Sequence, residues 1–235
     1  MTPDNPRQRL IAATEAVICR ERTASGVTTR AIAAEAGMRL SAIGYHFGSL
    51  EALVVETGAQ AYRRFKAERM AALQAALDRH RPAPPPVAEV LEALIGPSVR
   101  WALDPASAYP VFDYLRRTRA MTTQPELYRA LSEDVAHHDV FIDTLRRSAP
   151  WLGRGEVGWR LNAALGVRSQ VLRHPDRSAA LAGGTVALDD PAAVTARIVE
   201  VIVPMFARPD AEPRPLQRPV PRPPARGLPR IRTAT

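Results

Sequence analysis

The glycine at position 37 constrains this chain more than any other single residue, because of what lies on either side of it. Upstream, Ile32 and Ala36 recur at helical spacing behind Thr28, a residue suited to cap a helix, and Ala33 is small enough for a close crossing. Downstream, Met38, Ile43 and Phe47 give the segment Ser41 to Phe47 its own buried side, and Gly48-Ser49 restarts the chain. Glycine takes the left-handed backbone of a tight turn without strain, so the pattern predicts two short helices meeting at a sharp angle. Outside the buried side of the second helix remain Arg39, Ser41, Ala42, Gly44, Tyr45 and His46. Small, hydroxyl and cationic groups of this kind suit the major groove of DNA.

The segments around this turn are also helical by pattern. Pro6 follows Asn5 at a natural first position, with Gln8 where a capping-box partner belongs, and Leu10, Ile11, Thr14, Val17 and Ile18 form one stripe. A proline-free helix is expected from Leu50 to about His80, closed by Arg81-Pro82-Ala83-Pro84-Pro85-Pro86. Further helices are predicted over Val87–Leu103, Tyr109–Ala120, Glu126–Ser148, Glu156–His174 and Ala192–Phe206, the last entered through Asp190-Pro191. Nothing alternates like a strand, and the expected class is all-α.

From Gly26 to Leu53 the sequence resembles the TetR family of bacterial regulators: a Thr-capped helix, Ile32-Ala33, Ala36-Gly37, then the ending Tyr45-His46-Phe47. The likeness runs ungapped from about Pro6 to Tyr62. It implies a three-helix DNA-binding domain joined by a long fourth helix to a helical ligand-binding and dimerisation domain. The resulting division is a helix-turn-helix domain at 4–64, an effector-binding and dimerisation domain at 65–207, and a disordered Pro/Arg-rich tail at 208–235. By position, the resemblance makes Thr29, Tyr45 and His46 phosphate contacts, and puts Arg30, Arg39, Leu40, Ser41, Ala42 and Gly44 near bases, with Thr28 at the cap beside them. Phosphate contacts set register and base contacts set preference. Two residues depart from the family pattern: Gly44 replaces the usual aromatic, and Leu50 the usual lysine at the start of the fourth helix. Leu40 also fits a buried stripe with Ile43 and Phe47, Tyr45 and His46 also suit packing and capping, and Arg30 and Arg39 also suit a solvated surface.

The formal charge of +8 favours a polyanionic partner. Seven arginines against Asp210 and Glu212 put +5 of it beyond position 207, which leaves the rest of the chain mildly basic. That tail, with eight prolines, has too few apolar residues to offset ordering, and serves either as a basic arm on DNA or as an idle extension. Cys19 alone allows no intramolecular disulfide and no structural zinc, and neither a secretory signal nor a membrane-spanning run is apparent. A cytoplasmic protein is expected. Phosphate-binding glycine loops, nucleophile elbows and paired metal ligands are missing, and the adjacent His137 and His138 should diverge on a helix. Hence neither enzyme, cofactor nor metal is expected.

For an effector, the aromatic residues Trp101, Phe112, Tyr114, Tyr128, Phe141 and Trp159 are candidate pocket linings, each with plain core as its alternative. For a homodimer, Leu161, Leu165, Arg168 and Leu172 mark one helix face, and Val194, Ile198, Val201, Ile202 and Met205 another. Pairing with a symmetry mate would form a four-helix interface, whereas the alternative makes these helices internal. The expected function is a repressor released from operator DNA by a small molecule. Its alternatives are a constitutive or protein-controlled regulator, and a helical carrier or enzyme.

Overall fold

The computed structural model describes residues 5–21, 25–133, 136–185 and 187–208, and among these there is helix and no strand. The helices are α1 (Pro6–Glu21), α2 (Thr29–Glu35), α3 (Ser41–Phe47), α4 (Leu50–His80), α5 (Val87–Leu103), α6 (Tyr109–Arg119), α7 (Glu126–Glu133), α8 (Ala136–Ser148), α9 (Arg154–Arg173), α10 (Pro175–Leu181) and α11 (Pro191–Ile202). No described helix is long and apolar enough to cross a membrane. All but Arg208 of the tail expected at 208–235 lies outside the described residues.

Short polar side chains start the N-terminal helices. Asn5 Oδ1 accepts from the Arg7 amide at 2.9 Å, and Thr28 Oγ1 accepts from the Ala31 amide at 3.1 Å. Ser49 Oγ accepts from the Ala52 amide at 3.0 Å. Each satisfies a donor that a helix N-terminus otherwise leaves open.

The chain has two apolar cores, and α4 belongs to both. Leu10, Val17, Ile18, Ile32, Ile43, Leu53 and Ala61 form the first, and Leu73 joins α5, α8, α9 and α11 in the second. One stripe of α4 runs between them through Thr57, Gly58, Phe65 and Arg69, along a helix about 46 Å long. Helix α5 is apolar around most of its circumference and is sandwiched between α4 and α11. Helix α6 crosses over to the first core, where Val111, Tyr114 and Leu115 pack with α1 and α4. The division expected at 64/65 therefore falls within a continuous helix.

Two expected helices differ, and one helix was not expected. The segment Glu126–Ser148 comprises α7 and α8, with 134–135 outside the described residues. Pro204 removes an amide donor, so the last helix stops at Ile202 and continues as a 3-10 turn, Val203–Phe206. Helix α10 went unrecognised because its seven residues carry no buried stripe; Pro175 sets its first turn.

Candidate nucleic-acid interface

The turn after α2 is closed by its own backbone. The Met38 amide donates to Ala33 O at 2.9 Å and the Gly37 amide to Ala34 O at 3.1 Å, with Gly37 at φ 61°. This pairing satisfies the last carbonyls of a helix and requires a left-handed residue at that point. Arg9 of α1 donates to Ala36 O at 2.7 Å, and Arg20 of α1 pairs with Glu35 at 2.8 Å. Together these contacts fix the direction in which α3 departs.

Helix α3 is anchored by Ile43, which is 2% exposed, and turns its other side outward. Leu40 is 54% exposed and Tyr45 86% exposed, so Leu40 stands on the solvent face rather than in the buried stripe. Arg39, Ser41 and Gly44 are exposed beside them, and a Cβ built on Gly44 meets nothing within 4 Å. Ala42 and His46 are half-buried, and the Tyr45 and His46 rings meet edge-on at 4.9 Å. At the start of α2, Thr28 and Arg30 are exposed and Thr29 is half-buried. Thr28 is already engaged as a cap. Among the described residues neither Arg30 nor Arg39 forms an ion pair. Two large apolar side chains thus stand in water beside cations that form no ion pair among the described residues.

In the body, the structure gathers some of the expected aromatics and disperses others. Phe112 stacks on Trp101 at 5.8 Å and lies edge-on to Phe65 at 5.6 Å, Tyr62 at 6.4 Å and Tyr109 at 6.0 Å. Tyr114 and Tyr128 are buried in the first core, Phe141 is fully buried in the second, and Trp159 is 72% exposed on α9. Tyr62 and Phe65 were not anticipated, because they lie on α4, ahead of the segment expected to hold the effector. A cleft of about 220 Å³ lies between α4, α6 and α7, lined by Gly58, Tyr62, Phe112, Leu115 and Tyr128, with Arg116 and Arg119 also on its wall.

Behind these rings lies a feature unanticipated from the sequence. Arg69 is 3% exposed, and its Nη2 donates to Ser98 Oγ at 2.9 Å; Arg168 Nη1 donates to the same oxygen, also at 2.9 Å. No carboxylate among the described residues pairs with either. The Nε atoms of both are buried without a hydrogen-bond partner. Burial, with the nearby Arg168 charge second, pushes the Arg69 guanidinium down to about 9, and burial foremost lowers Arg168. Arg69 stays charged at neutral pH, over the Phe65 ring at 4.2 Å. Two like charges that donate to one oxygen repel each other. A signal for Arg69 was available, since it falls on the buried stripe of α4 with Phe65 and Leu73.

The candidate dimer residues mostly face inward. Leu161, Val194, Ile198 and Ile202 are at most 4% exposed and belong to the protomer's own core, against which Leu165, Leu172 and Met205 pack. Arg168 turns to Ser98, and Val201, 61% exposed, alone of the group stands in solvent. Periodicity found the apolar stripe of each helix but not which partner it meets. The exposed face of α9 is instead Gly155, Trp159, Asn162, Ala163, Gly166 and Gln170. The rings of His137 and His138, expected to diverge, lie 3.8 Å apart at the start of α8.

Residues 92–204 match the family described as tetracyclin repressor-like, C-terminal domain. The fold is similar to that of a protein from Pseudomonas aeruginosa PAO1 provisionally named a transcriptional regulator, with a TM-score of 0.57 and 20% identity over 87% of this chain and 91% of that one. It is similar also to a transcriptional regulator from Rhodococcus sp. Rha1, with a TM-score of 0.52 and 20% identity over 85% and 95% of the two chains. A third similar structure is that of superantigen PfiT, with a TM-score of 0.53 and 19% identity over 86% and 97%. At such identities the likeness concerns the fold alone. No curated protein matches the chain.

Proposed function

This chain belongs to the TetR family of transcriptional regulators, and from that premise we propose that it is a cytoplasmic, homodimeric repressor, not an enzyme, which a small-molecule effector releases from operator DNA. The observation that carries this reading is the outward face of α3, where Leu40 and Tyr45 stand in solvent among Arg30, Arg39 and Ser41. In the groove, Arg39, Leu40, Ser41, Ala42 and Gly44 approach base edges, with Leu40 suited to a thymine methyl group, and Arg30 joins them from α2. Thr28, Thr29, Tyr45 and His46 meet phosphates on either side.

Two such helices about 34 Å apart read a palindrome, so the reading needs a dimer. The face of α9 that carries Trp159, Ala163 and Gly166 supports one, because small residues let helices approach closely and an exposed tryptophan has much area to bury. With α4 reaching from one core to the other, a ligand that displaces it in the body changes the separation of the two α3 helices. A coupling of about 1 to 3 kcal/mol is enough for a useful switch.

The test is fluorescence anisotropy with duplexes flanking the protein's own coding region. Arg39→Ala should lose sequence preference, and Tyr45→Ala should weaken all sequences alike while leaving the melting temperature in place. Unchanged binding by both variants removes the assignment of α3.

A further inference from the structure

A guanidinium taken out of water is ordinarily paired with a carboxylate, because an unpaired buried charge is costly. Arg69 and Arg168 break this pattern together. They come from α4 and α9, converge on one neutral hydroxyl of α5, and keep an unpartnered Nε each. Ser98 Oγ has two lone pairs, and both guanidiniums draw on it; Arg69 Nη1 also reaches His137 Nε2 at 3.4 Å and Arg168 Nη2 donates to Ser169 Oγ at 2.9 Å, which leaves the two Nε donors open. Beside them stands the aromatic group of Tyr62, Phe65, Trp101 and Phe112. A line of contacts connects the two features: Tyr62 lines the cleft between α4 and α6 and lies 3.5 Å from His137 Nε2, which is 3.4 Å from Arg69 Nη1.

We propose that the effector is a small organic anion, whose oxyanion head is held between Arg69 and Arg168 while its apolar body lies against the rings of Tyr62, Phe65, Trp101 and Phe112. The inference rests on the reading of the body as an effector-binding domain and supplies the chemical class of the ligand. Planar guanidinium forks match the two oxygens of a carboxylate or a phosphate ester, and such an anion satisfies the open donors and relieves the repulsion between the arginines at once. The apolar wall that Tyr62, Phe112 and Leu115 give the adjoining cleft calls for an organic body rather than a bare inorganic ion. Arg116 and Arg119 on the wall of the cleft draw anions toward it. Because Arg69 sits on the helix that also carries the first core, a ligand that bridges it to α9 acts directly on the helix that leads to the DNA-binding face.

Thermal-shift and calorimetric titration of the full chain tests this with benzoate, octanoate and phenyl phosphate, against benzyl alcohol, octanol and inorganic phosphate. The organic anions should raise the melting temperature, the alcohols and inorganic phosphate should do so weakly or not at all, and the better of carboxylate and phosphate ester identifies the head group. Arg69→Met and Arg168→Met should each weaken anion binding at least about thirtyfold. Neither should melt below the parent protein, since each removes a cation that lacks a counter-ion. A purely structural arginine gives the opposite result, a lower melting temperature with ligand response retained. Should one variant fail to fold, the other decides. Alcohols that bind as well as the acids, or anion binding retained in the variants, overturn the ligand class and leave the effector reading standing. If no small molecule shifts the melting temperature or releases DNA, the effector reading itself falls.

Discussion

Arg7 of α1 lies over the ring of Phe47, the last residue of α3, at 4.3 Å from its centroid, and donates a hydrogen bond to the His46 carbonyl. One side chain thereby holds the C-terminal end of the candidate recognition helix from outside its own domain core. Arg9 does the same for the end of α2 through the Ala36 carbonyl. Two arginines that a composition count assigns to DNA are thus engaged in positioning the helices that would meet it.

Arg7→Ala removes the ring contact and the carbonyl's partner at a partly exposed site. The expected cost is about 0.5 to 1.5 kcal/mol in a urea melt. In gel shifts it should weaken binding to every sequence by a similar factor, because it loosens the helix without touching a base.

Gly44→Ala separates stability from binding. The position is helical, exposed and open around a built Cβ, so alanine should stabilise the protein by up to about 1 kcal/mol. On the face proposed to meet DNA, the same methyl group holds the helix away from the duplex. A higher melting temperature with lower operator affinity is the expected pair of results.

Gly58→Ala tests the crossing of α4 and α6. A Cβ there collides with Leu115 Cδ1 and stands 3.2 Å from its Cγ, and Leu115 is buried. Overpacking of this kind costs about 1 to 3 kcal/mol. In the double variant with Leu115→Ala the two costs should not add, since the second substitution makes the space the first requires, and a double-mutant cycle in denaturant measures the difference.

Ser98→Ala strips Arg69 and Arg168 of their common acceptor while leaving Arg69 buried and Arg168 half-buried. A loss of about 1 to 3 kcal/mol is expected by thermal or urea unfolding. The contrast with the methionine variants of the arginines, which should not lose stability, distinguishes a strained pair from a structural one.

Much of the N-terminal region was legible because its signals are local. Thr28 and Ser49 cap the helices they precede, and Gly37 turns where its neighbours required. Leu40 was ambiguous for the same reason: helical period alone leaves a residue at the edge of a stripe undecided, and only the packing of Ile43 settles which way α3 is rotated. In the body the signals are long-range. Val194, Ile198 and Ile202 form a stripe that fits a neighbouring helix and a second protomer equally well, and that neighbour is α5. The pairing of Arg69 with Arg168 joins residues 99 positions apart through a third on α5, a relation no periodicity encodes.

That α6 contributes Val111, Tyr114 and Leu115 to the core built by α1 and α4 has a practical consequence. A fragment cut midway along α4 keeps the turn, the caps and the outward arginines, but exposes the apolar flank that α6 covers. Such a piece is a poor reagent for measuring DNA recognition, prone to self-association through the bared side. In the intact protein the same dependence means that loosening α6 alone unseats the N-terminal helices.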